Sequence, residues 1–299
     1  MRQILCLLVA LVFLQGCSKN AETYSAPLKE IFSQLDACRE ESLSLEERKA
    51  VLDKVNEDLQ AMGTNVFTYI VEEMNSFKIA NIDYPWDDNK DIERRFQNLQ
   101  LVFGLLGKDM EPIIPEFVAN IDTNRNFLTG ISGLLNCGSL GLPYLETLLN
   151  HPDEHIREAV TISLIVKKNR SSDWEVSPEF SKAVHAASVS LLENKSDEVK
   201  CLSAFGVADY CTDPKESISI LMDRFTKETT PIVRIAFIKL SGQIYREFPD
   251  SDKNFLATLE KIAKDENNED KVRKVAQFVL KDITEQDPDS KEHSDEVKE

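Results

Sequence analysis

Residues that commonly build enzyme or metal sites are scarce in this sequence. Its 299 residues include four histidines, and His151 and His155 lack the glutamate that would complete a zinc-binding H-E-x-x-H motif. The chain also contains no G-x-S-x-G motif, no P-loop and no G-x-G-x-x-G turn. These absences argue against the common hydrolases, nucleotide-binding enzymes and zinc peptidases. We therefore expect no enzymatic activity, no metal and no other cofactor.

Positive charge is also scarce. The chain has 35 Lys and Arg against 52 Asp and Glu, which gives a formal net charge of −17. Nucleic acid is itself polyanionic and is therefore an unlikely kind of partner for this chain. An anionic lipid surface would repel it as well, so attachment to a membrane requires something other than a basic face.

Paired cysteine spacing is absent from the sequence. Without a C-x-x-C, neither a metal knuckle nor a thioredoxin-like redox site is expected. Cys201 lies inside a predicted helix among apolar neighbours and is expected to be a buried free thiol. Three disulfide pairings are open to the four cysteines beyond the N-terminal segment, although no essential disulfide is expected: Cys38, Cys137, Cys201 and Cys211.

The N-terminus has the pattern of a cleaved export signal. Arg2 precedes the apolar run Ile4–Leu14, which is much shorter than the roughly 20 residues that span a bilayer. The run ends in Leu14-Gln15-Gly16-Cys17, which resembles the lipobox of bacterial lipoproteins. That resemblance implies cleavage before Cys17, attachment of diacylglycerol to its thiol and acylation of the new N-terminus. An ordinary signal peptide with an incidental cysteine is the alternative.

The lipoprotein resemblance also implies a location. Several acyl chains anchor strongly, because each buried CH₂ contributes about 0.8 kcal/mol. Ser18 after the lipidated cysteine resembles the outer-membrane sorting pattern of bacteria with two membranes. We expect a cell-envelope protein tethered at Cys17, facing the periplasm from the outer membrane in such a host. Loss of Arg2 leaves 34 basic residues against 52 acidic ones, a net charge of −18.

Helical periodicity begins at Pro27. Ser44-Leu45-Glu46-Glu47 is a capping box that opens a helix, and Gly63 suits its C-terminal end. A helix over about Ile92–Leu106 ends at Gly107. The helices of residues 27–107 are predicted to form an N-terminal cap or degenerate repeats.

A two-helix unit recurs after residue 107. Gly141–Val166 is its clearest copy, with Pro152 expected to open the second helix. An apolar residue near the start of each second helix aligns five copies: Phe127, Ile156, Val199, Val233 and Val272. A basic residue follows it in four of them: Arg157, Lys200, Arg234 and Arg273. An inserted loop, Asn169–Glu179, explains the longest spacing.

This pattern resembles the HEAT-repeat family, which implies an α-solenoid over residues 108–283. In that family an aspartate and an arginine commonly form a ladder between neighbouring turns. The matching positions are Asp153, Arg157, Asp197, Lys200, Asp270 and Arg273. The fourth unit departs, because Thr229 and Thr230 precede Pro231, so a full ladder is not expected. The predicted organisation is a signal peptide (1–16), a lipidated tether (17–26), the N-terminal helices (27–107), the repeats (108–283) and a disordered acidic tail (284–299).

Candidate partner-binding residues lie outside the repeated core or on its basic positions. Tyr84 and Trp86 lie in one polar loop and Trp174 in another, and aromatic residues are enriched at interface hot spots. The alternative is that each folds back over a helix end. Arg157, Lys200, Arg234 and Arg273 are a possible binding stripe, with the ladder as the default role. The acidic runs Asp83–Asp91 and Asp265–Asp270 lack EF-hand spacing and are interpreted as solvated loops.

Together these features predict an all-α, HEAT-like solenoid that is exported and lipid-tethered. Stacked helical pairs present an extended surface, so the predicted function is a scaffold for a protein or peptide partner. That prediction rests on analogy between folds. The alternatives are an exported enzyme or metal-dependent protein that uses the acidic loops, and a purely structural envelope component.

Overall fold

A computed structural model of the chain describes residues 26–39, 43–76, 90–122, 127–170, 176–249 and 251–286. Every regular element in these ranges is helical, which confirms the prediction of an all-α protein. The chain divides into an N-terminal unit, Met1–Ser163, and a C-terminal unit, Leu164–Glu299. The predicted signal peptide and the tail beyond residue 286 lie outside the described residues.

The N-terminal unit contains two kinds of helix. Its α-helices are α1 (Ala26–Cys38), α2 (Leu45–Met62), α3 (Asn65–Ser76), α4 (Lys90–Leu106), α5 (Ile114–Asp122), α6 (Phe127–Asn136), α7 (Leu142–Leu148) and the first part of α8 (Glu154–Arg170). Two 3₁₀-helices, Gly107–Ile113 and Gly138–Leu140, lie between them. Helix α1 packs against α2, and α6 packs against both α4 and α5.

The capping box at Ser44 and the two glycine signals for helix ends in this unit are confirmed. The Glu47 N–H donates to Ser44 Oγ (3.2 Å), and the Ser44 N–H donates to Glu47 Oε2 (2.8 Å). Gly63 ends α2 with φ of 57°, and Gly107 follows α4 with φ of 54°. Positive φ is the left-handed region that glycine adopts at little cost, which explains why both helices stop there.

Helix α8 begins two residues later than expected. Pro152 was predicted to open it, but the first helical residue is Glu154. Asp153 Oδ1 accepts the His155 N–H at 2.9 Å, so the carboxylate satisfies a free donor in the first turn.

The C-terminal unit holds the rest of α8 and three helical hairpins. Its helices are α9 (Pro178–Leu191), α10 (Asp197–Asp209), α11 (Pro214–Lys227), α12 (Pro231–Glu247), α13 (Phe255–Lys264) and α14 (Asp270–Gln286). Helix α9 packs against α10, α11 against α12 and α13 against α14. Helix α12 also packs against α10 and α14, so the second helices of the three hairpins lie in a row.

Capping residues set where these helices start. The side chains of Ser177, Ser196 and Asp213 each accept a backbone N–H from the first turn of the helix that follows. A proline lies at the start of α9, α11 and α12, where a missing N–H costs nothing.

One apolar cluster runs through the hairpins of the C-terminal unit. Each of its helices from α10 to α14 contributes a side chain that is at most 1% exposed: Val207, Leu221, Phe237, Leu259 and Val272. Gly206 lets α10 approach its neighbours closely, because an added Cβ would lie 2.6 Å from Ile165 Cδ1. Of the five aligned apolar positions, four are at most 2% exposed: Phe127, Ile156, Val233 and Val272. Val199 is half-buried.

Candidate binding surface

Lys200 joins two successive turns of the C-terminal unit. Its Nζ lies 2.7 Å from Glu228 Oε2, in the turn before α12, and 3.4 Å from Asp197 Oδ1 in its own helix. Thr230 Oγ1 donates back to Asp197 Oδ1 at 3.3 Å. The α9–α10 turn is therefore tied to the α11–α12 turn by an ion pair and a hydrogen bond.

Glu228 is the centre of this contact. Its Oε1 accepts the backbone N–H groups of Thr229 and Thr230, both at 2.8 Å. Burial alone would raise the pKa of Glu228, but these bonds and the Lys200 ammonium outweigh burial and lower it. The hydrogen bond to Glu228 raises the pKa of Lys200, against a smaller opposing effect of burial. Both groups are therefore held in their charged forms.

Arg234 makes the equivalent connection one hairpin further on. Its Nη1 donates to Glu269 Oε2 (2.8 Å) and its Nη2 to Asn268 Oδ1 (2.6 Å), both in the α13–α14 turn. The guanidinium also lies over the Phe225 ring, 4.3 Å from its centroid. Hydrogen bonds to a carboxylate and contact with an aromatic face are the two interactions that arginine makes better than lysine.

Arg157 and Arg273 do not connect successive hairpins among the described residues. Arg157 Nη1 donates to the carbonyl oxygens of His151 (2.6 Å) and Pro152 (2.9 Å), within its own turn. Arg273 pairs at 3.4 Å with Asp270 of its own helix. The ladder that the HEAT resemblance implied is thus present at Lys200 and Arg234 alone of the four basic positions.

Apart from Asp197, the acceptors of this partial ladder were not predicted. Glu228, Asn268 and Glu269 precede the aligned apolar residue by different distances, so a search at one fixed position misses them. What these acceptors share is an acidic or amide side chain in the turn that precedes the second helix of the next hairpin. The Lys200 and Arg234 side chains are only 16% and 13% exposed, and both are paired within the protein. Little of their positive charge is therefore accessible to a partner. Binding of a partner by the four basic residues stays a prediction.

Three of the predicted binding residues cannot be placed on this surface. Tyr84, Trp86 and Trp174 lie outside the described residues, as does Cys17.

A buried histidine and serine join α9 to α11. His185 Nε2 lies 3.0 Å from Ser217 Oγ, and the two residues are 8% and 0% exposed. A serine–histidine pair is also the arrangement of an activated nucleophile. Here, however, no substrate can reach the Ser217 hydroxyl, so the pair links two packed helices. No sequence pattern connects these two residues, because 32 positions separate them.

We expect His185 to make stability depend on pH. Burial lowers its pKa from 6.5, against smaller opposing effects of Glu216 and Asp213. The unfolded chain therefore binds this proton more readily, so the stabilisation is complete above about pH 6.5 and is lost as the pH falls through the folded-state pKa. Urea unfolding at pH 7.5 and pH 5.5 should show a larger loss for the wild type than for His185→Gln. Equal losses in the two proteins would contradict this assignment.

The described cysteines are free thiols. Cys137 is buried, and burial raises its pKa to about 11. Cys201 is half-buried, where a fully buried thiol was expected. Within the described ranges, no group of three His, Cys, Asp or Glu side chains is arranged to hold a metal ion. No helix in the same ranges is long and apolar enough to cross a membrane.

No family model and no curated protein sequence matches the chain. The resemblance to HEAT repeats and to the lipobox therefore rests on the sequence patterns alone.

Proposed function

We propose that this protein is an exported, lipid-tethered scaffold, built as a HEAT-like solenoid, that binds a protein or peptide partner. The observation that carries the proposal is the row formed by α10, α12 and α14, with α9, α11 and α13 each paired to a member of the row. Hairpins stacked in this way present an extended surface that one compact core does not.

The polar contacts support the same arrangement. Lys200 and Arg234 each reach from one hairpin to the turn of the next, so the turns are held in register as well as the apolar faces. The tether is proposed from the lipobox at Leu14–Cys17 and places the protein in the cell envelope, on the outer membrane if the host has two membranes.

Replacing Cys17 by serine tests the tether. Serine cannot carry the thioether-linked diacylglycerol, so Cys17→Ser should move the protein from the membrane fraction to the soluble fraction. Cys38→Ser is the matched control, because it removes a cysteine outside the lipobox, and it should stay with the membrane. Unchanged detergent partitioning of Cys17→Ser would exclude lipid anchoring at this residue.

Site-specific photo-crosslinking in cells tests the scaffold. Ile232, 63% exposed in the first turn of α12, is a suitable position, and Trp174 is a second. Lys200 is less suitable because its ammonium is paired internally. Discrete adducts are expected from Ile232, and Lys54 on α2, 60% exposed, serves as the control. Absence of adducts at every position, with metal found in the purified protein, would favour a metal-dependent protein instead.

A further inference from the structure

An open depression of about 500 Å³ lies where α11 begins and α12 ends. Its charged lining groups are Asp213, Glu247 and Lys215, and two prolines and Phe248 supply apolar surface. Phe248 is 46% exposed, although large apolar side chains are usually buried. Its backbone N–H donates to the Ile244 carbonyl at 3.0 Å, which fixes the start of the segment that carries the ring.

The depression holds polar groups that have no partner within the described residues. Glu247 makes no ion pair or hydrogen bond there, and Lys215 pairs with neither carboxylate. Ser251 Oγ is buried without a hydrogen-bond partner. Asp213 is only partly engaged, since one oxygen accepts the Glu216 N–H at 3.0 Å.

Both carboxylates line the same depression. Burial raises the pKa of the Cys211 thiol, and Asp213 and Glu247 add to that increase against the opposing effect of a hydrogen bond with Ser217. Negative charge outweighs the single lysine, which favours a cation as the occupant.

The same unit already contains an arginine in such surroundings. Arg234 lies 4.3 Å from the centroid of the Phe225 ring and donates to Glu269. The depression supplies the same components, an aromatic face and a carboxylate, and its described lining residues include no arginine.

We propose that the depression binds an arginine side chain of a protein partner, with its guanidinium against Phe248 and between Glu247 and Asp213. This inference rests on the proposed scaffold function and specifies the chemistry of its partner. Guanidinium suits the site because its flat face can stack on a ring while its edge donates to carboxylates. A basic partner segment also complements the net charge of −17.

Binding of short peptides to the purified full chain tests the site. The probe is an acetylated and amidated Gly-Gly-Arg-Gly-Gly peptide, and its control carries citrulline, which has the same shape without the charge. The arginine peptide should shift the NMR signals of residues 213–217 and 247–251, more strongly at low salt. The citrulline peptide should leave them unchanged. Equal shifts from both peptides, or none from either, would overturn the proposal.

Single substitutions sharpen the test. Glu247→Gln should weaken arginine binding about tenfold, as expected for loss of one charge-assisted hydrogen bond. Phe248→Leu keeps the apolar bulk but removes the ring face, and should weaken binding about threefold. Lys215→Gln removes the competing positive charge and should strengthen binding. Glu260→Gln on α13, outside the depression, is the control for lost negative charge and should have no effect. Equal effects of Glu247→Gln and Glu260→Gln would mean non-specific attraction.

The arginine site and the scaffold can fail separately. If crosslinked adducts from Ile232 persist in Glu247→Gln and the purified chain does not bind the arginine peptide, the proposed scaffold function is supported and the proposed arginine site is wrong. If the peptide binds as expected but no position yields a cellular partner, the site stands and the scaffold is wrong.

Discussion

Replacing Arg95 by methionine is expected to destabilise the N-terminal unit by about 3–5 kcal/mol, the usual cost of removing one partner from a buried ion pair. Arg95 Nε lies 2.7 Å from Glu73 Oε1, and Glu73 is fully buried. Arg95 Nη2 also donates to Ser76 Oγ, which in turn donates to the Glu73 carbonyl at 2.7 Å. Methionine fills a similar volume but removes the guanidinium that donates to the buried Glu73 carboxylate. Urea unfolding followed by circular dichroism measures the loss.

A double variant separates the charge from the packing. Arg95→Met combined with Glu73→Met replaces both ions by apolar groups, which is often neutral or stabilising. It should therefore be clearly more stable than Arg95→Met alone. Lys54→Met, which removes an exposed pair with Asp58, should change stability little. If the single and double variants were equally unstable, lost packing rather than the lost ion pair would be the cause.

Replacing Ala159 by glutamate is expected to cost several kcal/mol, because it forces a charge into a packed position of α8. Ala159 is 7% exposed, between Ile156 and Val160, which are also buried. A larger side chain also overpacks the site, which adds typically 1–3 kcal/mol to the cost of burying the charge. The melting temperature is the simplest measurement.

Ala257→Glu is the matched control for Ala159→Glu. It makes the same change at an exposed position of α13, where surface substitutions usually cost less than about 0.5 kcal/mol. If both variants melted at the same temperature as the wild type, Ala159 would not face a core and the alignment of second helices would be wrong.

Periodicity and capping patterns predicted the helices well, because both depend on neighbours along the chain. Ser44 and Glu47 are three positions apart, so their reciprocal hydrogen bonds can be expected from sequence alone. The alignment of second helices likewise identified buried positions such as Val233 and Val272. Each of these features is decided within one or two helical turns.

Contacts between distant faces could not be predicted in the same way. Periodicity marks which side of α3 or α4 is apolar, but it does not show that Glu73 will meet Arg95 from 22 positions away. The depression combines the start of α11 with the end of α12, two points separated by the length of a hairpin. The repeat alignment located Lys200 and Arg234 but not Glu228 or Asn268, since the acceptors shift along the turn from one hairpin to the next.

The row formed by α10, α12 and α14 has a consequence for how the C-terminal unit unfolds. Within the row, α12 packs against both α10 and α14, and the ion pairs Lys200–Glu228 and Arg234–Glu269 also join adjacent hairpins. Cooperativity in such an arrangement is passed from neighbour to neighbour. A destabilising change in α14 can therefore affect α10 only by weakening the packing of α12. Unfolding should begin as fraying of the α13–α14 hairpin, before the rest of the unit unfolds.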